Sequence, residues 1–122
     1  MPVRLMIVDD HESVRELLRA IVADSPEDVV VSGEADGAEA ALEAIERVDP
    51  DVVVLDAKMP VVGGFEAAPM ILKRRPGQKI LLCSAVIDAE MCERAERVGI
   101  AACLSKDDLQ AVPRVAFELA FA

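Results

Sequence analysis

Aromatic residues are almost missing from this 122-residue chain, which holds three Phe, no Tyr and no Trp. Its apolar fraction of 53% comes chiefly from Val, Ala, Leu and Ile. That is enough for a buried core and too much for a disordered chain. The length predicts one domain, residues 1–122. Positive charge is scarce as well: 13 Lys and Arg stand against 23 Asp and Glu, for a net charge of −10. An acidic surface repels a phosphate backbone, so direct nucleic-acid contact is not expected, and cations or basic protein surfaces are better partners. No run approaches the roughly 18 apolar residues of a membrane span. The N-terminus has no long apolar stretch, so no signal peptide is expected. Cysteine is limited to Cys83, Cys92 and Cys103, without a C-x-x-C pair. An odd count with two members in apolar runs predicts reduced, buried thiols in a cytosolic protein.

What the chain does have is alternation. Short apolar runs, often β-branched, occur at Val3–Val8, Val29–Ser32, Val52–Leu55, Ile80–Cys83 and Ile100–Leu104. Continuous runs of this length suit strands covered on both faces. Amphipathic stripes separate them: Val14, Leu17, Leu18, Ile21 and Val22; then Ala41, Leu42, Ile45 and Val48; then Phe65, Ala68, Ile71 and Leu72. Met91, Ala95 and Val98 make a fourth, and Leu109, Val112, Val115, Ala116 and Leu119 a fifth. Gly99 stands where a left-handed cap would end the fourth helix. Pro69 is tolerable near the start of the third helix and would otherwise mark a kink. The pattern is an α/β (βα)5 fold. Right-handed crossovers imply a doubly wound parallel sheet, and five strands suggest the flavodoxin-like order 2-1-3-4-5. Ligands then belong beyond the carboxyl ends of strands 1 and 3.

The polar residues at those ends are Asp9 and Asp10 after strand 1, Asp56 after strand 3, Ser84 after strand 4 and Lys106 after strand 5. Adjacent carboxylates at the mouth of a core resist burial and repel each other. The three aspartates bring −3 and Lys106 returns +1, leaving −2, the charge that one divalent cation neutralises. Carboxylate oxygens with water and a carbonyl suit Mg²⁺, and the lone histidine, His11, is too little for zinc. A metal, a lysine and a hydroxyl around one carboxylate make a phosphoryl-transfer site, with Asp56 as nucleophile.

The motifs "IVDDH", "DVVVLDAKMPVVGGFEA", "LLCSA" and "CLSKD" resemble the receiver domain of two-component response regulators, from about Val3 to about Ala120. The DDH and KD forms look like the subfamily with helix-turn-helix output domains. The resemblance implies that a histidine kinase or phosphotransfer protein phosphorylates Asp56. It implies that Asp10 ligates Mg²⁺ directly, with Asp9 acting through water and the backbone carbonyl of Lys58 as a further ligand beside Asp56. Lys106 would pair with the phosphoryl group and Ser84 would turn inward to bond it. The implied partners also include an output domain outside these residues or a separate protein, and a second copy in a homodimer. One position departs from the pattern: Cys103 stands where the family usually carries Tyr or Phe. A thiol lacks the ring that reports motion at Ser84, so either the switch through Ser84 and Cys103 runs through backbone shifts of helix 4, strand 5 and helix 5, or the switch is weak.

Other readings compete. His11 is expected to be a solvated residue before a helix, and Asp107 and Asp108 to start the last helix. Gly63 and Gly64 read as a turn, and Glu90–Arg97 as a solvated helix face or a partner surface. A phosphorylation-independent interaction module keeps the fold and is favoured somewhat by Cys103, but the intact Asp9, Asp10, Asp56 and Lys106 argue against it. A phosphatase of the haloacid dehalogenase type needs an acid two residues after the nucleophile, where Lys58 stands. A flavin binder needs a Ser, Thr and Gly-rich first loop, where this chain has Asp9, Asp10 and Glu12.

Overall fold

Along each apolar run successive side chains point to opposite faces, and the structure covers both. The computed structural model describes residues Met1–Ala122. Its elements are β1 (Val3–Val8), α1 (Glu12–Asp24), β2 (Val29–Ala35), α2 (Ala38–Val48), β3 (Val52–Asp56) and α3 (Gly64–Arg74). They continue with β4 (Lys79–Ser84), α4 (Ala89–Arg97), β5 (Ala102–Ser105), a 3-10 helix (Lys106–Ala111) and α5 (Val112–Ala120). The strands form one sheet in the order β2-β1-β3-β4-β5, with every pair parallel. This is the flavodoxin-like α/β arrangement expected from the alternation.

Strand periodicity divides the core in two. Met6, Val8, Val53, Leu55, Ile80 and Leu82 face α2, α3 and α4. Leu5, Ile7, Val52, Val54, Leu81 and Cys83 face α1 and α5. The central strands are buried throughout, which is why they read as unbroken apolar runs rather than alternating ones. No helix is long and apolar enough to cross a membrane.

Several boundaries differ from the sequence expectation. β2 runs on to Ala35, because Ser32 is accommodated as a bulge where the β1 register shifts between Leu5 and Met6. β5 starts at Ala102 rather than at Ile100, which instead packs in the core after the turn closing α4. Gly99 does take the left-handed conformation at that turn, with φ of 89°. Leu17, placed on the core stripe of α1, is 49% exposed. Pro69 is interior to α3, so it removes the N–H that would bond the Phe65 carbonyl. Asp107 and Asp108 open the 3-10 helix ahead of α5, and Ser105 Oγ caps it by accepting from Asp107 N–H at 3.1 Å. Cys83 is buried as expected, but Cys103 is only half-buried and Cys92 is exposed on α4.

Candidate functional site at the carboxyl rim of the sheet

The sheet's hydrogen-bond ladders carry two carboxylates to the same edge. Asp9 N–H donates to Ala35 O at 3.1 Å, continuing the β1–β2 ladder one step past the strand. Ala57 N–H donates to Cys83 O at 2.9 Å and does the same for β3 beside β4. Asp56, the last residue of β3, and Asp9 are each only 3% exposed. The backbone then turns tightly under Asp56: Gly64 N–H donates to Ala57 O at 2.9 Å. A Cβ on Gly64 would stand 2.5 Å from Asp56 O, so only glycine allows α3 to start this close.

Lys106 enters from the end of β5. Its Nζ lies 3.0 Å from Asp56 Oδ1 and 3.2 Å from Asp9 Oδ2. Lys58 N–H donates to the same Asp56 Oδ1 at 3.2 Å. Two buried oxygens, Asp56 Oδ2 and Asp10 Oδ1, receive no hydrogen bond. Leaving such oxygens bare inside a protein is unfavourable. Burial raises the Asp56 pKa above the usual carboxylate value; the Lys106 hydrogen bond opposes this and the Asp9 charge adds to it. For Lys106, burial works toward the neutral amine, but the hydrogen bond and charge of Asp56, with those of Asp9, outweigh it and raise the pKa.

The sequence-derived residues therefore come together in part. Asp9, Asp10, Asp56 and Lys106 meet at one rim. Ser84 is buried at the end of β4, level with Ser105 of β5, and its Oγ accepts from Val86 N–H at 3.4 Å. Cys103 lies on β5 opposite Leu82 and packs against the core on the α4 side. Burial, with the neighbouring Cys92 thiol, pushes its thiol up to about 11.

One basic residue escaped the sequence expectation. Arg15, on α1, donates from Nη1 to the main-chain carbonyl of Asp9 at 2.6 Å and sets Nε 3.3 Å from Glu34. Its signal was faint, a basic residue about one helical turn beyond the acidic pair. His11 is solvent-exposed, as expected, yet its Nδ1 lies 3.2 Å from Asp10 Oδ1 and 3.5 Å from Asp9 Oδ1. One ligand atom from each of Asp9, Asp10, His11 and Asp56 falls within 4.8 Å of the others. Such a cluster could hold a metal ion, and the unpartnered oxygens fit that use.

On α4, Arg94 does more than face solvent: it pairs with Glu66 of α3 at 3.1 Å and stacks 4.2 Å from the Phe65 ring centre.

Comparison with known proteins agrees with this architecture. The family model for the response regulator receiver domain matches residues 5–113. The chain is 35% identical over 105 residues to the transcriptional regulatory protein DegU of Brevibacillus brevis, covering 86% of this chain and 44% of that protein. It is 36% identical over 107 residues to a protein-glutamate methylesterase/protein-glutamine glutaminase of Rhodospirillum rubrum, covering 86% of this chain and 27% of that protein. It thus spans less than half the length of these curated relatives. Among solved structures, the signal receiver domain of the response regulator NarL from Mycobacterium tuberculosis superposes with a TM-score of 0.89 at 32% identity. That match covers 99% of this chain and 98% of the other. With the family pattern filling nearly the whole chain and its acidic residues gathered at the predicted rim, the protein belongs to the response regulator receiver domain family of two-component signalling.

Proposed function

We propose that this chain is a phosphoacceptor switch, phosphorylated at Asp56 by a histidine kinase or phosphotransfer protein in a Mg²⁺-dependent reaction. The observation that carries this reading is Asp56 itself. It is a buried carboxylate with one oxygen held by Lys106 and the other free of any donor. A free oxygen at the mouth of the sheet is a nucleophile with its lone pairs available. It attacks phosphorus and the bond from phosphorus to the donor group breaks, leaving an acyl phosphate on Asp56. Lys106 takes a phosphoryl oxygen, and the Ser84 hydroxyl supplies a second donor once it leaves Val86 N–H.

In this reading Asp10 and Asp56, the Lys58 carbonyl, and Asp9 through water hold the metal. The bound ion would supply charge neutralisation for the transferring phosphoryl group. The switch would act through the α4–β5–α5 surface on an output domain or a partner, in transcription regulation, as the relative DegU, a transcriptional regulatory protein, suggests. A homodimer is one such partner. The chain would turn over no external metabolite and would work in the cytoplasm.

The half-buried Cys103 favours a second reading, a receiver-like interaction module whose surface no longer responds to phosphate. Incubation with a small phosphodonor such as acetyl phosphate, with and without Mg²⁺, separates the two. The phosphoacceptor reading expects a mass gain of one phosphoryl group in the wild type with Mg²⁺ and none in Asp56→Asn. A gain that persists in Asp56→Asn overturns the assignment. A gain with no change in oligomeric state or partner binding supports the decoupled module.

A further inference from the structure

His11 is the one histidine of the chain, and its placement is unusual for a solvated residue. It stands at the N-terminal boundary of α1 with extended backbone, φ −98° and ψ 117°, and its side chain caps nothing. Instead its N–H donates to Asp9 Oδ1 at 2.9 Å, a turn that folds the residue back over the acidic pair. The imidazole Nδ1 then lies 3.2 Å from Asp10 Oδ1 without the alignment of a hydrogen bond, since that oxygen receives none. In an octahedral site with metal–ligand bonds of about 2.1 Å, adjacent ligand atoms lie about 3 Å apart and opposite ones about 4.2 Å. The four groups lie within 4.8 Å of one another, slightly wider than that envelope, so a short inward movement of the exposed imidazole brings them onto one ion. Asp56, 3% exposed and with one oxygen unpartnered, belongs to the same cluster.

We propose that His11 is a nitrogen ligand in this pocket, biasing it toward first-row transition-metal dications over Mg²⁺. The inference rests on reading the pocket as a dication site. Its chemical basis is ligand type: carboxylate and water oxygens suit Mg²⁺, whereas imidazole nitrogen strengthens Co²⁺, Ni²⁺ or Zn²⁺. Losing His11 therefore weakens the transition metals and leaves the oxygen-bound ion nearly untouched. The ring is exposed enough to swing onto a bound ion without unpacking the core.

The test is calorimetric titration of the full chain with CoCl₂ and, separately, with MgCl₂, at one pH and without phosphodonor. Wild type, His11→Ala and Asp10→Asn are compared. The expected result is a Co²⁺ Kd raised about tenfold or more in His11→Ala, with the Mg²⁺ Kd changed by less than about twofold and the visible Co²⁺ absorption altered. Equal weakening of both ions, or no change in either, overturns the role of His11. If Asp10→Asn binds both ions as tightly as the wild type, the dication reading of the pocket fails, and this inference falls with it.

Discussion

Lys106 Nζ sits 3.0 Å from Asp56 Oδ1, although the two residues belong to strand ends separated by β4. With Asp9 Oδ2 at 3.2 Å, the lysine bridges three of the five strand ends and holds two buried carboxylates that would otherwise repel.

Replacing it tests both consequences. Lys106→Met should lose about 1–3 kcal/mol of stability in chelator-containing buffer, because the buried carboxylates are left without their donor. Added Mg²⁺ should restore part of that loss. Phosphorylation by acetyl phosphate should slow by about 10²-fold. Urea titration with and without MgCl₂, and mass spectrometry over time, measure the two effects. An unchanged urea midpoint in chelator would mean that the bridge contributes nothing net.

Gly64 is held against the back of the site. Its missing Cβ would meet Asp56 O at 2.5 Å and Leu82 Cδ1 at 2.8 Å, and the first of these is backbone that cannot step aside. Gly64→Ala should cost about 1–3 kcal/mol and should also slow phosphorylation, since Asp56 must move with its carbonyl. Denaturant unfolding and the phosphorylation rate should fall together. A destabilised variant with an unaltered rate would show that the strain is absorbed by α3 instead.

Val61 has a φ of 68° and is fully exposed in the loop between β3 and α3. A β-branched residue in the left-handed region is strained and gains nothing here from burial. Val61→Gly should raise stability by about 0.5–1 kcal/mol, the relief of strain exceeding the added freedom of the unfolded chain. A thermal melt reads this as a rise in Tm, and a fall would show that the loop conformation is maintained by something other than tolerance.

Burial pushes the Cys83 thiol up to about 12, against an ordinary value of about 8.5. The folded state therefore holds its proton more tightly than the unfolded state. This contribution is intact below about pH 8.5 and is lost as pH rises toward 12. Cys83→Ala should reduce the alkaline slope of stability by about 1.4 kcal/mol per pH unit in that window. Lys106, whose pKa is also raised, adds a loss of the same sign that begins above its ordinary value of 10.5, overlaps the upper part of this window and is kept by the variant. Chemical denaturation at a series of pH values measures the slope. At pH 8, N-ethylmaleimide should reach exposed Cys92 first, half-buried Cys103 more slowly and Cys83 only on unfolding.

Val52–Leu55 and Ile80–Cys83 read as strands because burial on both faces leaves a continuous apolar run. Asp56 and Ser84 had only to follow those runs to be placed at the rim. Leu17 satisfied the helical stripe of α1 and is nevertheless exposed, because a 3.6-residue period fixes angle and not the width of the face a neighbour covers. Ser32 disguised the end of β2, since a bulge interrupts the pattern without ending the pairing.

Sequence alone determined the order of the layers and the chemical inventory of the pocket. Parallel strands joined by right-handed helical crossovers put every strand's carboxyl end on the same side, and the polar residues there are a matter of simple adjacency. Tertiary structure decided which atoms meet. It gave Lys106 to Asp9 and Asp56 together, tied Arg15 to the Asp9 carbonyl, turned His11 over the acidic pair and left Asp56 Oδ2 bare. Those outcomes depend on sheet register and on side chains reaching across elements distant in the chain, and local periodicity carries no information about either.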